Sequence, residues 1–381
     1  MPIADHVAVE RGLAEFRAGR PVLLLADISL IAMPVDALDA QRLESFREQW
    51  GTAPLHLLVT ARRAHAFGIE ATGPVSVPLH QCERLDAILS LAAGPVASRR
   101  RSCVPAGPAA VAAIELAKLA ELLPALLIAE PGQACANPGV FVEVRASAVA
   151  GFREYLAQSL RVVACSRVPI RGGIAARLVV FRDALGNSPA ALVIGEPDFE
   201  QPVPVRLHSA CLTGDVFGSR RCDCGDQLKL ALARLSRTSG VVLYLAQEGR
   251  GLGLANKMRA YELQDVGFDT VDADMTLGFE ADERDYRTAA RMLQLLGCHR
   301  VLLMTNNPTK LAGLSRAGVE ICGSVPLQAP VKPENHRYLA TKATRAGHRL
   351  DGLWSKKSGG DRAPKPAGSR LAANRPRRRA R

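Results

Sequence analysis

The stretch CLTGDVFGSRRCDCG, residues 211–225, places three of the nine cysteines of this 381-residue chain within fourteen positions. Three thiolates are one ligand short of the closed tetrahedron of a structural zinc site, and a catalytic zinc keeps that fourth position open for water. A zinc finger or ribbon would need a second pair of cysteines or histidines at its own spacing. Cys211, Cys222 and Cys224 are therefore predicted to bind one catalytic zinc ion, with chance clustering of cysteines as the alternative.

Four further segments accompany the cysteines along the chain: RLHSA at 206–210, QEGRGLG at 247–253, EADER at 280–284 and TNNPTK at 305–310. Together with the cysteine motif they closely resemble GTP cyclohydrolase II, in that family's order and spacing, over roughly residues 160 to 350. Linked motifs are far more specific than any one of them. The resemblance implies hydrolysis of GTP to formate, diphosphate and 2,5-diamino-6-(5-phospho-D-ribosylamino)pyrimidin-4(3H)-one, the first step of riboflavin biosynthesis.

The same resemblance implies roles for individual residues. Asp282 is the acid/base of ring opening, and Tyr261 supports release of the formyl group. Arg284 is either a nucleophile toward the α-phosphate or its electrostatic clamp, and the clamp is physically safer because a guanidinium stays protonated. Magnesium accompanies the triphosphate. The residues that match GTP-binding positions are Arg206, Leu207, His208, Ser209, Ala210, Gln227, Glu248, Gly249, Arg250, Thr270, Thr305 and Lys310.

Several of these residues also have plainer explanations. Asp282 could be an acid favoured by the dipole at a helix N-terminus, and Lys310 alone would be expected at the surface. Tyr261 could be a core aromatic on its helix. The EGRGLG segment could be a tight turn, or a strand-to-helix turn whose N–H groups bind phosphate.

Two residues depart from the family pattern. Ala210 stands where the family usually has glutamate, and Ala246 where it often has arginine or lysine. Neither change removes a zinc ligand or a catalytic residue. We therefore expect them to affect the affinity for GTP rather than the type of reaction.

Residues 1–150 alternate apolar runs with amphipathic segments, which is typical of an α/β domain. The pattern predicts a mostly parallel sheet covered by helices. The predicted elements are strands at 22–25, 55–60 and 125–129 and helices at 7–18, 36–49 and 109–122.

This half resembles a degenerate 3,4-dihydroxy-2-butanone 4-phosphate synthase. The acidic metal-binding run of that family is replaced by Ala26-Asp27-Ile28-Ser29, and no histidine occurs between His80 and His208. Because carboxylates for the metal and a general base are both missing, this half is predicted to be inactive as a synthase.

The fold class predicted for the whole chain is α/β (α+β) in two domains, each with its own core. The synthase-like domain covers 1–150, and the cyclohydrolase-like mixed-sheet domain covers 160–352. A linker is expected at Pro131 to Pro138, and a disordered basic tail at 355–381. In the second half we expect strands at 176–182, 190–195, 241–245, 301–304 and 319–321, and helices at 148–156, 227–236, 254–266 and 284–296.

Charge and apolar content restrict the class of partner. The tail carries +9 of the net charge of +12, which leaves +3 for the rest of the chain. A basic tail can contact nucleic acid or acidic lipid, but this one has no aromatic residue for stacking on bases, so no specific nucleic-acid partner is expected. No apolar run is long enough to span a membrane. An odd number of cysteines favours the reducing cytoplasm, and the family resemblance implies a homodimer.

Three other functions stay open at this point. A variant cyclohydrolase could stop at the N-formyl product, against which the intact Tyr261 argues. A non-catalytic nucleotide-binding paralogue would be expected to have lost a zinc cysteine, Asp282 or Arg284, and none is lost. A nucleic-acid binder would need a larger basic footprint than +3.

Overall fold

The computed structural model describes residues 3–50, 54–95, 101–131, 141–170 and 172–350. The basic tail and all but the first residue of the predicted linker lie outside these ranges. The helices are α1 (Ile3–Arg17), α2 (Ala40–Trp50), α3 (Ala61–His65), α4 (Leu85–Ala93), α5 (Pro108–Leu119), α6 (Ala146–Ala150), α7 (Phe152–Ser159), α8 (Cys224–Thr238), α9 (Glu248–Gly251), α10 (Leu254–Asp265), α11 (Thr270–Thr276), α12 (Arg287–Leu295), α13 (Pro308–Arg316) and α14 (His336–Arg345). The strands are β1 (Val22–Leu25), β2 (Leu30–Pro34), β3 (His56–Val59), β4 (Val75–Pro78), β5 (Val104–Pro105), β6 (Ala125–Ala129), β7 (Glu143–Arg145), β8 (Arg161–Arg167), β9 (Ala176–Arg182), β10 (Ala190–Ile194), β11 (Val203–Ser209), β12 (Gly240–Leu245), β13 (Arg300–Met304) and β14 (Glu320–Val325).

The first sheet has the strand order β5-β4-β3-β6-β2-β1-β7. Its described pairings are antiparallel except for β1 with β7, so the prediction of a mostly parallel sheet is wrong. Strand β2 was missed in the sequence. It follows β1 after only four residues, and a connection that short can join antiparallel strands but not parallel ones.

The second sheet has the order β14-β13-β11-β12-β10-β9-β8. The hairpin predicted for residues 176–195 is confirmed as the antiparallel pair β9 and β10. Strands β11 to β14 pair in parallel. The carboxyl ends of β11, β12 and β13 therefore meet at one edge, where open α/β sheets commonly bind ligands.

The two halves share part of their core. One cluster joins Leu57 and Leu127 of the first sheet to Ala260 of α10, Leu277 and Phe279, all of them buried. The expectation of a separate core for each half is therefore wrong for this face of the first sheet. The periodicity of a helix shows that one face is apolar but not which sheet covers it. Within the described ranges, no helix has the length and apolarity needed to cross a membrane.

Candidate active site

An open pocket lies at the shared edge of β11, β12 and β13 and encloses about 990 Å³, including solvent at its mouth. The structure brings sixteen of the eighteen predicted site residues into its wall. Ser209 and Ala210 lie where β11 ends, Gln227 lies on α8, Thr270 begins α11, and Thr305 follows β13. The pocket therefore unites motifs that are separated by up to a hundred residues in the sequence.

The three cysteines line this pocket. Cys211 lies two residues after β11, Cys222 lies two residues before α8, and Cys224 is the first residue of α8. Their sulfur atoms all lie within 4.8 Å of one another, and those of Cys211 and Cys222 are 3.7 Å apart. Two thiolates on one tetrahedral zinc ion would be separated by about 3.8 Å. The donor type and spacing therefore fit zinc.

Gly214 keeps space free around the sulfur atoms. A Cβ atom at this position would lie 3.0 Å from Sγ of Cys222 and 3.1 Å from Sγ of Cys211. Gly214 belongs to a π-helical turn, Leu212–Val216, which folds over the cysteines. Any side chain here would therefore come too close to the sulfur atoms of the cysteines. A glycine at this position is consistent with an ion-binding loop.

Lys257 is a site residue that the sequence reasoning missed. It lies on α10, and only 8% of it is exposed. Its Nζ donates to Sγ of Cys211 at 3.1 Å, to Oγ1 of Thr213 at 2.9 Å and to Oε1 of Glu248 at 2.7 Å. Three thiolates around a divalent cation leave one negative charge, which a buried ammonium can balance. Its position one helical turn before Tyr261 is the signal that could have identified it.

Asp282 and Arg284 form a compact ion pair in the loop before α12. Arg284 donates from Nη2 to Oδ2 of Asp282 at 2.6 Å and from Nε to Oδ1 at 2.7 Å. Helix α12 begins only at Arg287, so the predicted start at 284 is wrong and the helix-dipole explanation of Asp282 fails. Asp282 is not itself in the pocket wall, whereas Arg284 is.

Burial and hydrogen bonding act in opposite directions on this pair. Burial alone would raise the pKa of Asp282, but hydrogen bonds from Arg284 outweigh it and keep the pKa below its usual value. Burial alone would lower the pKa of Arg284, but the hydrogen bond to Asp282 raises it. The pair is therefore carboxylate and guanidinium at neutral pH.

Tyr261 is a pocket residue, so its assignment as an ordinary core aromatic is wrong. The guanidinium carbon of Arg221 lies 4.2 Å from the centre of its ring, and Arg221 also donates to the Tyr261 carbonyl at 2.9 Å. Burial raises the pKa of Tyr261 to about 12. Its hydroxyl is therefore protonated at neutral pH and available as a hydrogen-bond donor.

Two buried basic side chains, Arg206 and Lys310, also line the pocket. Arg206 donates to the Met304 carbonyl at 2.9 Å, and burial lowers its pKa to about 10. Lys310 donates to the Leu207 carbonyl at 2.9 Å, and burial lowers its pKa well below the usual range. Lys310 is only 7% exposed, so its explanation as a surface lysine is wrong. Leu207 lies in the core outside the pocket wall.

The EGRG segment forms a left-handed turn rather than a regular helix. Gly249 has φ of 59° and Arg250 has φ of 65°, a conformation that is costly for a residue with a side chain. Successive N–H groups in such turns form a concave site for anions. The Arg250 guanidinium lies 3.4 Å from Oδ2 of Asp274, a buried carboxylate that was also missed in the sequence.

The cysteine segment and β11 are held by further buried pairs. Lys342 of α14 donates to Oδ1 of Asp223, between the two cysteines, at 2.7 Å. His208 is hydrogen-bonded through Nε2 to Asp215 at 3.0 Å, and burial lowers its pKa. Tyr338 and His348 also line the pocket. Lys342, Tyr338 and His348 lie beyond the last recognised motif, which explains why they were missed.

Comparison with known proteins agrees with this geometry. The sequence model described as GTP cyclohydrolase II matches residues 161–326. GTP cyclohydrolase-2 of Azospirillum brasilense is 43% identical over 362 residues, which cover 90% of this chain and 93% of that protein. GTP cyclohydrolase-2 of Xylella fastidiosa (strain 9a5c) is 40% identical over 91% of this chain and 88% of its own.

Another relative has a higher sequence identity over a shorter part of the chain. Riboflavin biosynthesis protein RibBA of Bacillus cereus (strain G9842) is 56% identical over 162 residues, 42% of this chain and 41% of its own. The two cyclohydrolases instead align along about nine-tenths of this chain, so the similarity extends well beyond the residues around the pocket. The chain therefore belongs to the GTP cyclohydrolase II family.

Proposed function

We propose that this protein hydrolyses GTP to 2,5-diamino-6-(5-phospho-D-ribosylamino)pyrimidin-4(3H)-one, formate and diphosphate, as the first step of riboflavin biosynthesis. The observation that carries the proposal is one pocket that joins a three-thiolate cluster to buried arginine and lysine side chains. Ring opening needs an activated water, and a triphosphate needs cations. The same pocket offers thiolates that could hold a water-activating metal and basic side chains for the triphosphate.

Cys211, Cys222 and Cys224 would hold one zinc ion per chain. A zinc ion held there would lower the pKa of a water molecule and would polarise a substrate atom as a Lewis acid. Lys257 offsets the charge of the thiolates through its bond to Cys211. Glu248 accepts from both Lys257 and the Leu212 amide, so the metal loop and the EGRG turn are held in one arrangement.

Asp282 is suited to accept and return a proton because it is ionised at neutral pH. Tyr261 is suited to donate a hydrogen bond to the opened ring because its hydroxyl is protonated. Arg284 acts as a clamp on the α-phosphate. Its raised pKa supports this role over that of a nucleophile, which would require a neutral guanidine.

Arg206, Arg250 and Lys310 bind the phosphates together with the left-handed turn. A triphosphate beside Lys310 would favour the charged form of its amine, because a nearby negative charge raises the pKa of an amine. The two carboxylates that line the described pocket wall, Glu248 and Asp274, are paired with Lys257 and Arg250. Magnesium would therefore enter bound to the triphosphate rather than to a carboxylate site of the chain.

We place the protein in the cytoplasm as a homodimer. The eight cysteines in the described ranges are free thiols, which suits a reducing compartment. Strand β8 supports the dimer, since it lies at the edge of the second sheet and all seven of its residues are exposed, including Val162 and Val163. Sedimentation of the wild type and of Val163→Lys would test this assembly, with a fraction of monomer expected only for the variant.

The function is tested by incubating the zinc-loaded full chain with GTP and magnesium and identifying the products by mass spectrometry. We expect equimolar formate and diphosphate together with the diaminopyrimidinone. Accumulation of an N-formyl product would identify the variant cyclohydrolase instead. GTP left intact by zinc-loaded protein would identify a non-catalytic paralogue.

A further inference from the structure

We propose that the first half of the chain positions the catalytic loop of the second half, and that Lys118 is the positioning residue. The inference rests on the proposed function only for its kinetic consequence. The loop runs from Gly278 to Asp285 and carries Asp282 and Arg284. Contacts that hold it from the first half come from Thr60 and α3 and from α5.

The start of the loop is held by hydrogen bonds from side chains of the first half to the backbone carbonyls of Thr276 and Gly278. Thr60, which caps α3, donates from Oγ1 to the Gly278 carbonyl at 2.7 Å. Arg63 is 1% exposed and donates to the Thr276 carbonyl at 2.7 Å, while the rest of its guanidinium is bonded to carbonyls at the end of α4. Because this buried arginine donates hydrogen bonds to carbonyls of both halves, it restricts the movement of the residues that it contacts.

The centre of the loop is fixed by an ion pair. Lys118 of α5 donates to Oε1 of Glu283 at 2.5 Å, and the two side chains are only 14% and 12% exposed. The same carboxylate oxygen accepts from the Glu280 amide at 2.8 Å, and the Glu283 amide donates to the Arg250 carbonyl at 3.1 Å. Glu283 stands between Asp282 and Arg284, so its anchoring sets where that pair lies.

The loop also packs tightly against the EGRG turn. A Cβ atom on Gly251 would lie 3.0 Å from the carbonyl of Glu283, so the two backbones are in contact. Removing Lys118 would leave Glu283 as a nearly buried carboxylate without its cation, which is strongly unfavourable. The loop would then move toward water and displace Asp282 and Arg284. A displacement of about 1 Å can cost roughly a hundredfold in rate.

The experiment compares Lys118→Met, Lys118→Arg and Arg101→Met in the full chain. Arg101 is the matched control because it pairs with Glu83, a carboxylate 9% exposed, within the first half and away from the loop. For Lys118→Met we expect kcat to fall about tenfold or more with KM for GTP changed less than twofold, and Lys118→Arg to recover most of the rate. Arg101→Met should lose stability without losing kcat.

Hydrogen exchange of residues 278–286 supplies a second measurement that does not depend on turnover. Exchange in this segment should increase in Lys118→Met and stay unchanged in Arg101→Met. If the wild type leaves GTP intact, the proposed function fails, while the exchange data still decide whether Lys118 holds the loop. Unchanged exchange in Lys118→Met would overturn the inference, and so would an equal loss of kcat in the Arg101→Met control.

Discussion

At the scale of single residues, the proposed chemistry depends on a few side chains whose charge is set by their neighbours. The sulfur atoms of the three cysteines are close enough to share one ion, and Lys257 contacts one of them. Asp282 and Arg284 keep each other ionised in a half-buried loop. A change of charge at any of these positions should therefore affect metal binding or proton transfer before it affects the fold.

Replacing one zinc ligand tests the metal site directly. Cys222→Ser should reduce bound zinc from about one ion per chain to a small fraction and should abolish formate release, because a serine hydroxyl is a poor zinc ligand. Elemental analysis and a formate assay measure the two effects. Cys298→Ser is the control, since Cys298 is also buried but lies outside the pocket wall. Full ring opening by zinc-free Cys222→Ser would contradict the site.

The two residues of the ion pair in the loop are expected to act on different leaving groups, namely formate and diphosphate. Asp282→Asn should slow formate release by about 10² to 10⁴ because an amide cannot accept the proton. Arg284→Ala should remove diphosphate release as well, since the α-phosphate loses its clamp. Separate assays of formate and diphosphate distinguish the two variants. Wild-type turnover in both would show that the EADER segment has no part in the chemistry.

At the scale of elements, local pattern predicted the position of several strands in both halves. Strands β9 and β6 appear at the predicted residues, 176–182 and 125–129, because each is an apolar run bounded by turn residues. The direction of pairing in the first sheet could not be predicted, because β2 had not been recognised. Motif residues of the pocket were predicted through family resemblance. Lys257, Asp274 and Lys342 were not, because only the packing of α10, α11 and α14 brings them to the pocket.

Helix α11 carries a carboxylate that should make stability depend on pH. Burial raises the pKa of Asp274 to about 7, although Arg250 acts against the shift and Asp269 and Asp282 add to it. The folded state thus holds a proton that the unfolded state releases near pH 4, so Asp274 should reduce the free energy of unfolding as pH rises toward 7. Relative to Asp274→Asn, we expect the wild type to lose about 2 to 3 kcal/mol between pH 5 and 7.

Denaturant unfolding of both proteins at several pH values measures this difference. The comparison with Asp274→Asn removes the contribution of other titrating groups, because both proteins share them. A constant difference between pH 5 and pH 8 would show that Asp274 ionises at its ordinary pKa. The Arg250 ion pair would then offset the effect of burial.

At the scale of the whole molecule, the two halves share one hydrophobic core cluster. Apolar residues of α10 and of the segment after α11 lie in the same buried cluster as apolar residues of β3 and β6. Separate cores had been expected because sequence length predicts the number of domains but not their contacts. Deletion of residues 1–150 should therefore expose apolar surface on the helix that carries Lys257 and Tyr261. Both stability and turnover should decrease together.

The first half should nevertheless have no synthase activity of its own. It should not convert ribulose 5-phosphate to dihydroxybutanone phosphate and formate at any magnesium concentration, because the acidic run after Leu25 and any histidine from 81 to 207 are absent from the sequence. Complementation of cells that lack the synthase is the decisive measurement, with expression confirmed by formate release from GTP in the same extracts. A gene for an active synthase serves as the positive control. Growth without added riboflavin would show that other residues of this half supply both the metal ligands and the base, and that its contacts with the catalytic loop connect two active enzymes.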